Sequence, residues 1–367
     1  MGNLVDLYSV YGQSPWLDNL RREWLHNGEL ARWVERGVRG LTSNPSIFQA
    51  AMTTGTAYEQ QFSHLLKDGL SVAEAYWEMV YSDISGALDA LAPVHAQSNG
   101  ADGYVSVEVD PKLAHNTEGT LSAAVAISER LNRPNLLVKI PGTAAGLSAI
   151  EAMTAQGRSV NVTLLFSLAR YREVIDAYLR GLEAHPGDLS QVTGVASFFI
   201  SRTDTEVDRR LEALSTSEAL ALRGKTAVAQ GQMAYQIFCD QFSGPRWEAL
   251  AARGANPQRP LWASTSTKNP AYRDTLYVDE LIGPNTVNTL PETTLEAFAD
   301  HGSLFRTVDA DPNEAQAILD RVRRAGVDLD EVSERLADEG VAAFVKSFED
   351  LLESLSTTAD RLLTGPR

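Results

Sequence analysis

Short apolar runs alternate along the chain with longer segments of helical periodicity. The short runs occupy 37–44, 103–110, 135–142, 159–166, 191–200, 259–265 and 284–290. Between them, apolar positions recur with the helical period and predict helices over 71–91, 143–155, 167–183, 202–214 and 224–242. Such alternation indicates βαβ units and a parallel sheet. The segment 311–363 predicts three helices and no strand, which we expect to pack on the outside or to close one end.

In two of the strand runs, side chains alternate between an apolar and a polar face. The apolar faces hold Val105, Val107, Val109, Val160, Val162 and Leu164, and the polar faces hold Ser106, Glu108, Asp110, Ser159, Asn161 and Thr163. Strands of an open doubly wound sheet, covered by helices on both sides, should be apolar on both faces. An antiparallel sheet with one solvated face would alternate similarly, but the long helical connections argue against it.

A closed barrel explains this alternation. In a (β/α)₈ barrel the valines face the ring of helices, and the polar set lines the mouth near the C-terminal ends of the strands. We therefore predict an α/β protein, a (β/α)₈ TIM barrel with additional helices, notably the helical C-terminal segment. No long linker and no repeat interrupts the sequence, so we expect a single domain over 1–367, with 311–363 as its extension.

A charged residue interrupts one strand run, "NLLVKIPGT". If Val138 and Ile140 face the helices, Lys139 points into the barrel. Burial among apolar groups disfavours the ammonium form, and a neutral amine can attack a carbonyl to form a Schiff base. On this strand alone, a lysine that extends its charge to water at the strand end is the more frequent alternative.

A second polar stretch, "GLTSNPSIFQ", ends a strand with Thr42 and Asn44 on one face, and Pro45 follows where a helix can begin. Asparagine is a preferred N-terminal cap, so Asn44 taken alone is more often a helix cap than a substrate ligand.

Composition and charge narrow the function classes. The net charge of −16 argues against nucleic acid binding, although a few convergent basic residues can still hold an anionic small substrate. The sequence has no long uncharged apolar run and no signal-peptide pattern at its start, so we expect a cytoplasmic protein without membrane contact. Cys239 is the only cysteine, and the six histidines show no paired metal-ligand spacing, so we expect neither a disulfide nor a metal site.

The blocks "GLTSNPSIF" and "LLVKIPGTAAGLSAIEAM" resemble the two signature regions of transaldolases, and "VNVTLLFS" and "VASFFISRTD" resemble further blocks in the same order. The resemblance runs from about Trp16 to Leu290, and the helical tail is similar to that of longer bacterial members. It implies a cofactor-free (β/α)₈ enzyme of the pentose phosphate pathway. Such an enzyme transfers a dihydroxyacetone unit between sedoheptulose 7-phosphate and glyceraldehyde 3-phosphate, giving erythrose 4-phosphate and fructose 6-phosphate. The implied partners are sugar phosphates, and the family includes monomers and homodimers.

The resemblance also implies catalytic roles. Lys139 matches the lysine that forms the Schiff base, and Asp18 in "SPWLDNLRR" matches the acid/base that accepts the C4 hydroxyl proton. Glu108 and Thr163 match the pair that orients a water molecule for formation and hydrolysis of the iminium. The residues flanking Asp18 differ from those of the short bacterial forms. The alternative to a catalytic role is that Asp18 lies on a helix face or in the first turn of a helix.

Substrate-binding residues follow from the same resemblance. Asn44 and Asn161 match asparagines that bind the dihydroxyacetone hydroxyls, and Arg202 matches the phosphate-binding arginine. The complete expected set is Thr42, Asn44, Asn161, Ser197, Phe199, Arg202, Ser264 and Lys268. The short bacterial forms carry a second arginine at the position of Ser266. We therefore expect Lys268 to supply that positive charge, and the alternative is that Lys268 is an exposed loop lysine without a role in binding.

Two rival functions remain to be compared. A fructose-6-phosphate aldolase uses the same lysine chemistry but releases free dihydroxyacetone. Glu108 and Phe199 favour the transferase, because the similar aldolases tend to carry Gln and Tyr there and are shorter. A non-catalytic sugar-phosphate sensor on the same barrel would not need Lys139, Glu108, Thr163 and Asp18 together.

Overall fold

A closed barrel of parallel strands forms the centre of the molecule. The computed structural model describes residues 3–364. The strands are β1 Gln13–Leu17, β2 Leu41–Thr42, β3 Val105–Glu108, β4 Leu136–Pro141, β5 Val160–Leu165, β6 Gly194–Phe199, β7 Arg259–Ala263 and β8 Thr286–Leu290. Each strand pairs with the next, and β8 closes the ring onto β1. The predicted (β/α)₈ TIM barrel is thus confirmed.

Helices surround this barrel and extend beyond it. They are α1 Asn3–Ser9, α2 Arg22–Asn27, α3 Glu29–Glu35, α4 Pro45–Thr53, α5 Glu59–Lys67, α6 Val72–Gln97, α7 Thr117–Leu131, α8 Ala144–Ala155, α9 Leu168–Ala184, α10 Ser201–Leu214, α11 Ser217–Leu220, α12 Thr226–Gln241, α13 Gly244–Ala251, α14 Leu276–Asp279, α15 Glu292–His301, α16 Pro312–Arg324 and α17 Leu329–Thr364. Within residues 3–364, none of these helices is both long and apolar enough to cross a membrane.

The two faces of the barrel strands have different neighbours. Val105, Val107, Val138 and Ile140 pack in the large cluster between strands and helices. Trp16, Leu137, Val195, Leu261 and Val287 belong instead to a second cluster, which also includes residues of α10, α12, α16 and α17. This division confirms that the valines of β3 face the helices, and it directs the alternate side chains of β3 and β4 into the barrel.

One residue of β5 departs from the predicted alternation. Leu164 has a φ of 60°, and the pairing of β5 with β6 is irregular between Val162 and Leu165. Leu165 therefore packs in the large cluster with Val160 and Val162, whereas Leu164 belongs to the second cluster. The prediction that Leu164 shares a face with Val160 and Val162 is wrong, because this bulge shifts the alternation by one residue.

The C-terminal segment contains two helices, α16 and α17, and the prediction of three is wrong. Helix α17 continues through Gly340 and packs against α4, α6, α10 and the end of β5. A Cβ on Gly340 would lie 2.8 Å from Leu164 Cδ2, so the glycine permits a close approach without ending the helix. Helix α17 consequently covers one end of the barrel. The single domain over 1–367 stays a prediction, and residues 1, 2 and 365–367 lie outside the described part.

Candidate active site

A pocket of about 260 Å³ opens at the C-terminal ends of the barrel strands. The sequence-predicted residues that line it are Asp18, Thr42, Asn44, Lys139, Thr163, Ser197, Phe199, Arg202, Ser264 and Lys268. The other two predicted residues, Glu108 and Asn161, are buried and contact lining residues from beneath. Because the carboxyl ends of parallel strands meet at one end of a barrel, residues distant in sequence converge here.

Lys139 projects from β4 into the barrel and is 5% exposed. Its Nζ donates to the backbone oxygen of Ser43 at 3.0 Å and lies 3.3 Å from Glu108 Oε2. The strand register explains this pair, since Lys139 is directly opposite Glu108 on β3 and opposite Asn161 on β5. The Lys139 side chain is therefore buried in the barrel and does not extend to bulk water at the end of the strand.

Glu108 is buried, and burial raises the pKa of its carboxyl group, while the neighbouring Lys139 opposes that rise. Neither carboxylate oxygen accepts a hydrogen bond of good geometry from the described residues, and the same holds for the buried Thr163 Oγ1. Buried polar atoms are usually satisfied, so these groups are available to a substrate atom or a water molecule.

Asp18 follows β1 directly and precedes α2, so it belongs to neither the face nor the first turn of a helix. Its backbone N donates to Leu290 O at 2.8 Å, and its Oδ1 accepts from Thr42 Oγ1 at 2.7 Å. Desolvation raises the pKa of Asp18, and the charge of Lys139, the hydrogen bond from Thr42 and the charge of Arg202 oppose that rise. The arrangement suits a carboxyl group that exchanges a proton.

Two asparagines contribute differently to the pocket. Asn44 lines it and also caps α4, with its Oδ1 accepting from Ile47 N at 3.0 Å. Asn44 is therefore both the N-terminal cap of α4 and a residue of the pocket wall. Asn161 lies beneath the lining, where its amide accepts from Ser197 Oγ at 2.7 Å and donates to Ser106 Oγ at 3.0 Å. Those bonds hold Ser197 in place.

The cationic side of the pocket is formed by two elements. Arg202 is in the first turn of α10, and its guanidinium carbon lies 5.2 Å from the centre of the Phe199 ring. Burial lowers the pKa of Arg202, and Asp18 and Glu339 oppose that effect. Lys268 is exposed in the loop after β7 and still lines the pocket.

Some lining residues were not expected from the sequence. They are Ser46, Ala263, Ser266, Thr289, Pro291 and Phe344. Thr289 lies in the predicted strand run 284–290 and is hydrogen bonded to Thr42 at 2.5 Å, so the alternation of that run could have indicated it. Phe344 lies in α17, where nothing in the local pattern distinguishes a pocket residue from a core residue.

Comparison with known proteins agrees with this geometry. The profile of the family described as transaldolase/fructose-6-phosphate aldolase matches residues 15–355. "Transaldolase 1" of Streptomyces avermitilis is 50% identical over 359 residues, covering 96% of this chain and 95% of the relative. "Transaldolase" of Thermobifida fusca is 50% identical, with 97% and 98% covered, and that of Mycolicibacterium smegmatis is 49% identical, with 98% of each covered. The chain therefore belongs to the transaldolase/fructose-6-phosphate aldolase family.

Proposed function

We propose that this protein is a transaldolase that transfers a dihydroxyacetone unit between sugar phosphates through a Schiff base on Lys139. The donor and acceptor pair is sedoheptulose 7-phosphate and glyceraldehyde 3-phosphate, giving erythrose 4-phosphate and fructose 6-phosphate. The observation that carries this proposal is the buried Lys139 Nζ, 3.3 Å from Glu108, in one pocket with Asp18 and Arg202. Amine, proton carrier and cationic anchor are the groups that this reaction requires.

In the first step, the Lys139 amine attacks the ketose carbonyl carbon, C2, and forms a carbinolamine. Loss of its hydroxyl group as water leaves an iminium. A proton held by Glu108, whose pKa burial raises, can be given to the departing hydroxyl group. Thr163 Oγ1 is free to hydrogen bond the same water molecule. The reverse of this step later hydrolyses the iminium and releases Lys139.

In the second step, the C3–C4 bond breaks. Asp18 accepts the proton of the C4 hydroxyl group, a carbonyl forms at C4, and the electrons of the broken bond move to the iminium as an enamine. The hydrogen bond from Thr42 orients the Asp18 carboxylate for this transfer. The first aldose then leaves, and the enamine attacks the carbonyl carbon of the second aldose with return of the proton from Asp18.

Several wider properties are inferred with this function. As an enzyme of central sugar metabolism, the protein is proposed to act in the cytoplasm in the non-oxidative pentose phosphate pathway. We infer a monomer or a homodimer that uses sugar phosphates and neither nucleic acid nor membrane as partners. The net charge of −16 supports the exclusion of nucleic acid. The proposed chemistry proceeds with side chains alone.

One experiment tests the function directly. The enzyme is incubated with fructose 6-phosphate, reduced with borohydride and analysed by peptide mass spectrometry, and product formation is measured with and without erythrose 4-phosphate. We expect an adduct on Lys139 and formation of glyceraldehyde 3-phosphate that depends on erythrose 4-phosphate. Equal turnover without the acceptor, with free dihydroxyacetone released, would identify an aldolase instead. A protein without adduct or turnover would fit the sensor alternative.

The Arg202→Ala variant tests the phosphate site. Loss of charge-assisted hydrogen bonds should raise KM for fructose 6-phosphate by roughly 10- to 100-fold and change kcat less, as such bonds contribute about 1.5–3 kcal/mol. Steady-state kinetics with phosphorylated and unphosphorylated sugars provide the measurement. Arg130→Ala, which removes an exposed arginine paired with Glu78, is the control and should behave as wild type. Equal effects on both sugar classes would place the phosphate elsewhere.

A further inference from the structure

Two acidic residues on α10 point away from the pocket and remain unexplained by the proposed chemistry. Asp204 and Asp208 are 1% and 6% exposed, and they lie one helical turn apart on the same face. Burial raises the pKa of both carboxyl groups, that of Asp204 to about 7. Buried carboxylates are costly unless other groups satisfy them, so their partners indicate what they hold.

The outer carboxylate, Asp208, joins two other segments of the chain. Its Oδ2 accepts from Tyr272 OH at 2.6 Å, and its Oδ1 accepts from Gly224 N at 2.9 Å. Gly224 has a φ of +69°, and a Cβ there would lie 2.8 Å from Tyr272 Cζ. The tyrosine ring therefore lies against the glycine backbone, which fixes the ring as well as its hydroxyl group.

The inner carboxylate, Asp204, repeats the same arrangement. Its Oδ1 accepts from Ala227 N at 2.7 Å, and its Oδ2 accepts from Tyr277 OH at 3.0 Å. Tyr277 belongs to α14, which follows the loop that leaves β7. Two successive turns of α10 are thus each bonded to one tyrosine from the segment between β7 and β8.

The segment that carries Tyr272 also carries Lys268. Within this β7–α14 loop, residues 264–275, Thr267 Oγ1 donates to Arg273 O at 2.8 Å, and Tyr272 N donates to Asn269 O at 3.1 Å. Ala271 N donates to Asn269 Oδ1 at 2.9 Å. These bonds tie Thr267 and Asn269, the two neighbours of Lys268 in the chain, to the part of the loop that carries Tyr272.

The start of α10 carries the other cation, Arg202. Asp208 lies less than two turns further along the same helix, so the Tyr272–Asp208 hydrogen bond joins the two elements that carry the cations of the pocket. At the inner end of the loop, Ser201 N donates to Ser264 O at 3.0 Å. The loop is thereby bonded to α10 at both of its ends.

We propose that Tyr272 and Asp208 are positioning residues that set the spacing between Arg202 on α10 and Lys268 on the β7–α14 loop, so that both cations reach one phosphate group. This inference rests on the proposed function for the identity of the substrate. Neither residue lines the pocket, so both act through the residues that do.

The Tyr272→Phe variant tests this inference, because it removes one hydroxyl group and keeps the ring. We expect a roughly 3- to 10-fold increase in KM for fructose 6-phosphate and in Kd for inorganic phosphate, measured by calorimetry. We expect kcat to stay within about 2-fold of wild type, and KM for unphosphorylated sugars to stay unchanged. Asp208→Asn should shift the same parameters in the same direction.

The matched control is Tyr58→Phe. Tyr58 OH donates to Asp83 at the same 2.6 Å, in a cluster with Arg22 that does not line the pocket. This variant should lose stability without weaker phosphate binding. The inference is overturned if Tyr272→Phe leaves both KM and Kd unchanged, or if Tyr58→Phe weakens phosphate binding equally. It is also overturned if the wild-type protein binds no phosphate. Failure of borohydride trapping with normal phosphate binding would refute the proposed function alone.

Discussion

The Lys139→Met variant should lose ketose cleavage by roughly 10⁴-fold or more in kcat, because removal of a catalytic nucleophile has effects of that order or larger. Methionine retains an apolar chain of similar length, so the barrel should fold. The measurements are single-turnover cleavage of fructose 6-phosphate and mass spectrometry after borohydride reduction. We expect neither product nor adduct, with the circular dichroism spectrum of the wild-type protein.

The effect on Glu108 provides a second readout for this variant. The charge of Lys139 lowers the pKa of Glu108 against the larger effect of burial. Without Lys139, the pKa of Glu108 should rise further, and the carboxyl group should take up a proton at higher pH than in the wild type. Lys67→Met, a change at an exposed lysine at the end of α5, should leave turnover intact. An adduct on another lysine, or undiminished turnover in Lys139→Met, would disprove the proposed Schiff base.

Much of this geometry could be predicted from strand alternation. The valines of β3 and the residues flanking Lys139 face the helices, which places Glu108 and Lys139 inside the barrel. The period of a strand is two, so one correctly assigned buried residue determines the orientation of its neighbours. For that reason a local pattern predicts that a lysine and a carboxylate meet inside the barrel, where Lys139 lines the pocket and Glu108 contacts it from beneath.

Other features depend on contacts between distant segments and could not be predicted in this way. Strand β1, "QSPWL", has no regular alternation, and the pairing with β2 and β8 is what defines it as a strand. Leu164 departs from its expected face because of a bulge in β5. Helix α17 continues without a break at Gly340, where the missing side chain lets the helix pack closely on Leu164. The position of Phe344 at the pocket follows from this packing and not from its own sequence neighbourhood.

The Asp18→Asn variant should separate covalent binding from bond cleavage. Asparagine preserves the size of the side chain but cannot accept the C4 hydroxyl proton, so we expect a 10²- to 10⁴-fold loss in kcat, about the usual contribution of general acid–base catalysis. Formation of the Schiff base is assigned to Lys139, Glu108 and Thr163, so it should continue. Borohydride reduction with fructose 6-phosphate should therefore still give an adduct on Lys139, now carrying the uncleaved six-carbon sugar phosphate.

The intact sugar on the enzyme is the decisive signal. In the wild-type protein the enamine can be protonated to a three-carbon iminium, so part of the reduced adduct on Lys139 should carry only three sugar carbons. Asp89→Asn, at an exposed aspartate paired with Arg133 on the surface, is the control and should retain wild-type kinetics. A normal cleavage rate in Asp18→Asn would remove the proposed proton transfer from Asp18. Loss of the adduct together with activity would instead assign Asp18 to substrate binding or to Schiff base formation, since its Oδ1 is bonded to Thr42 at the pocket wall.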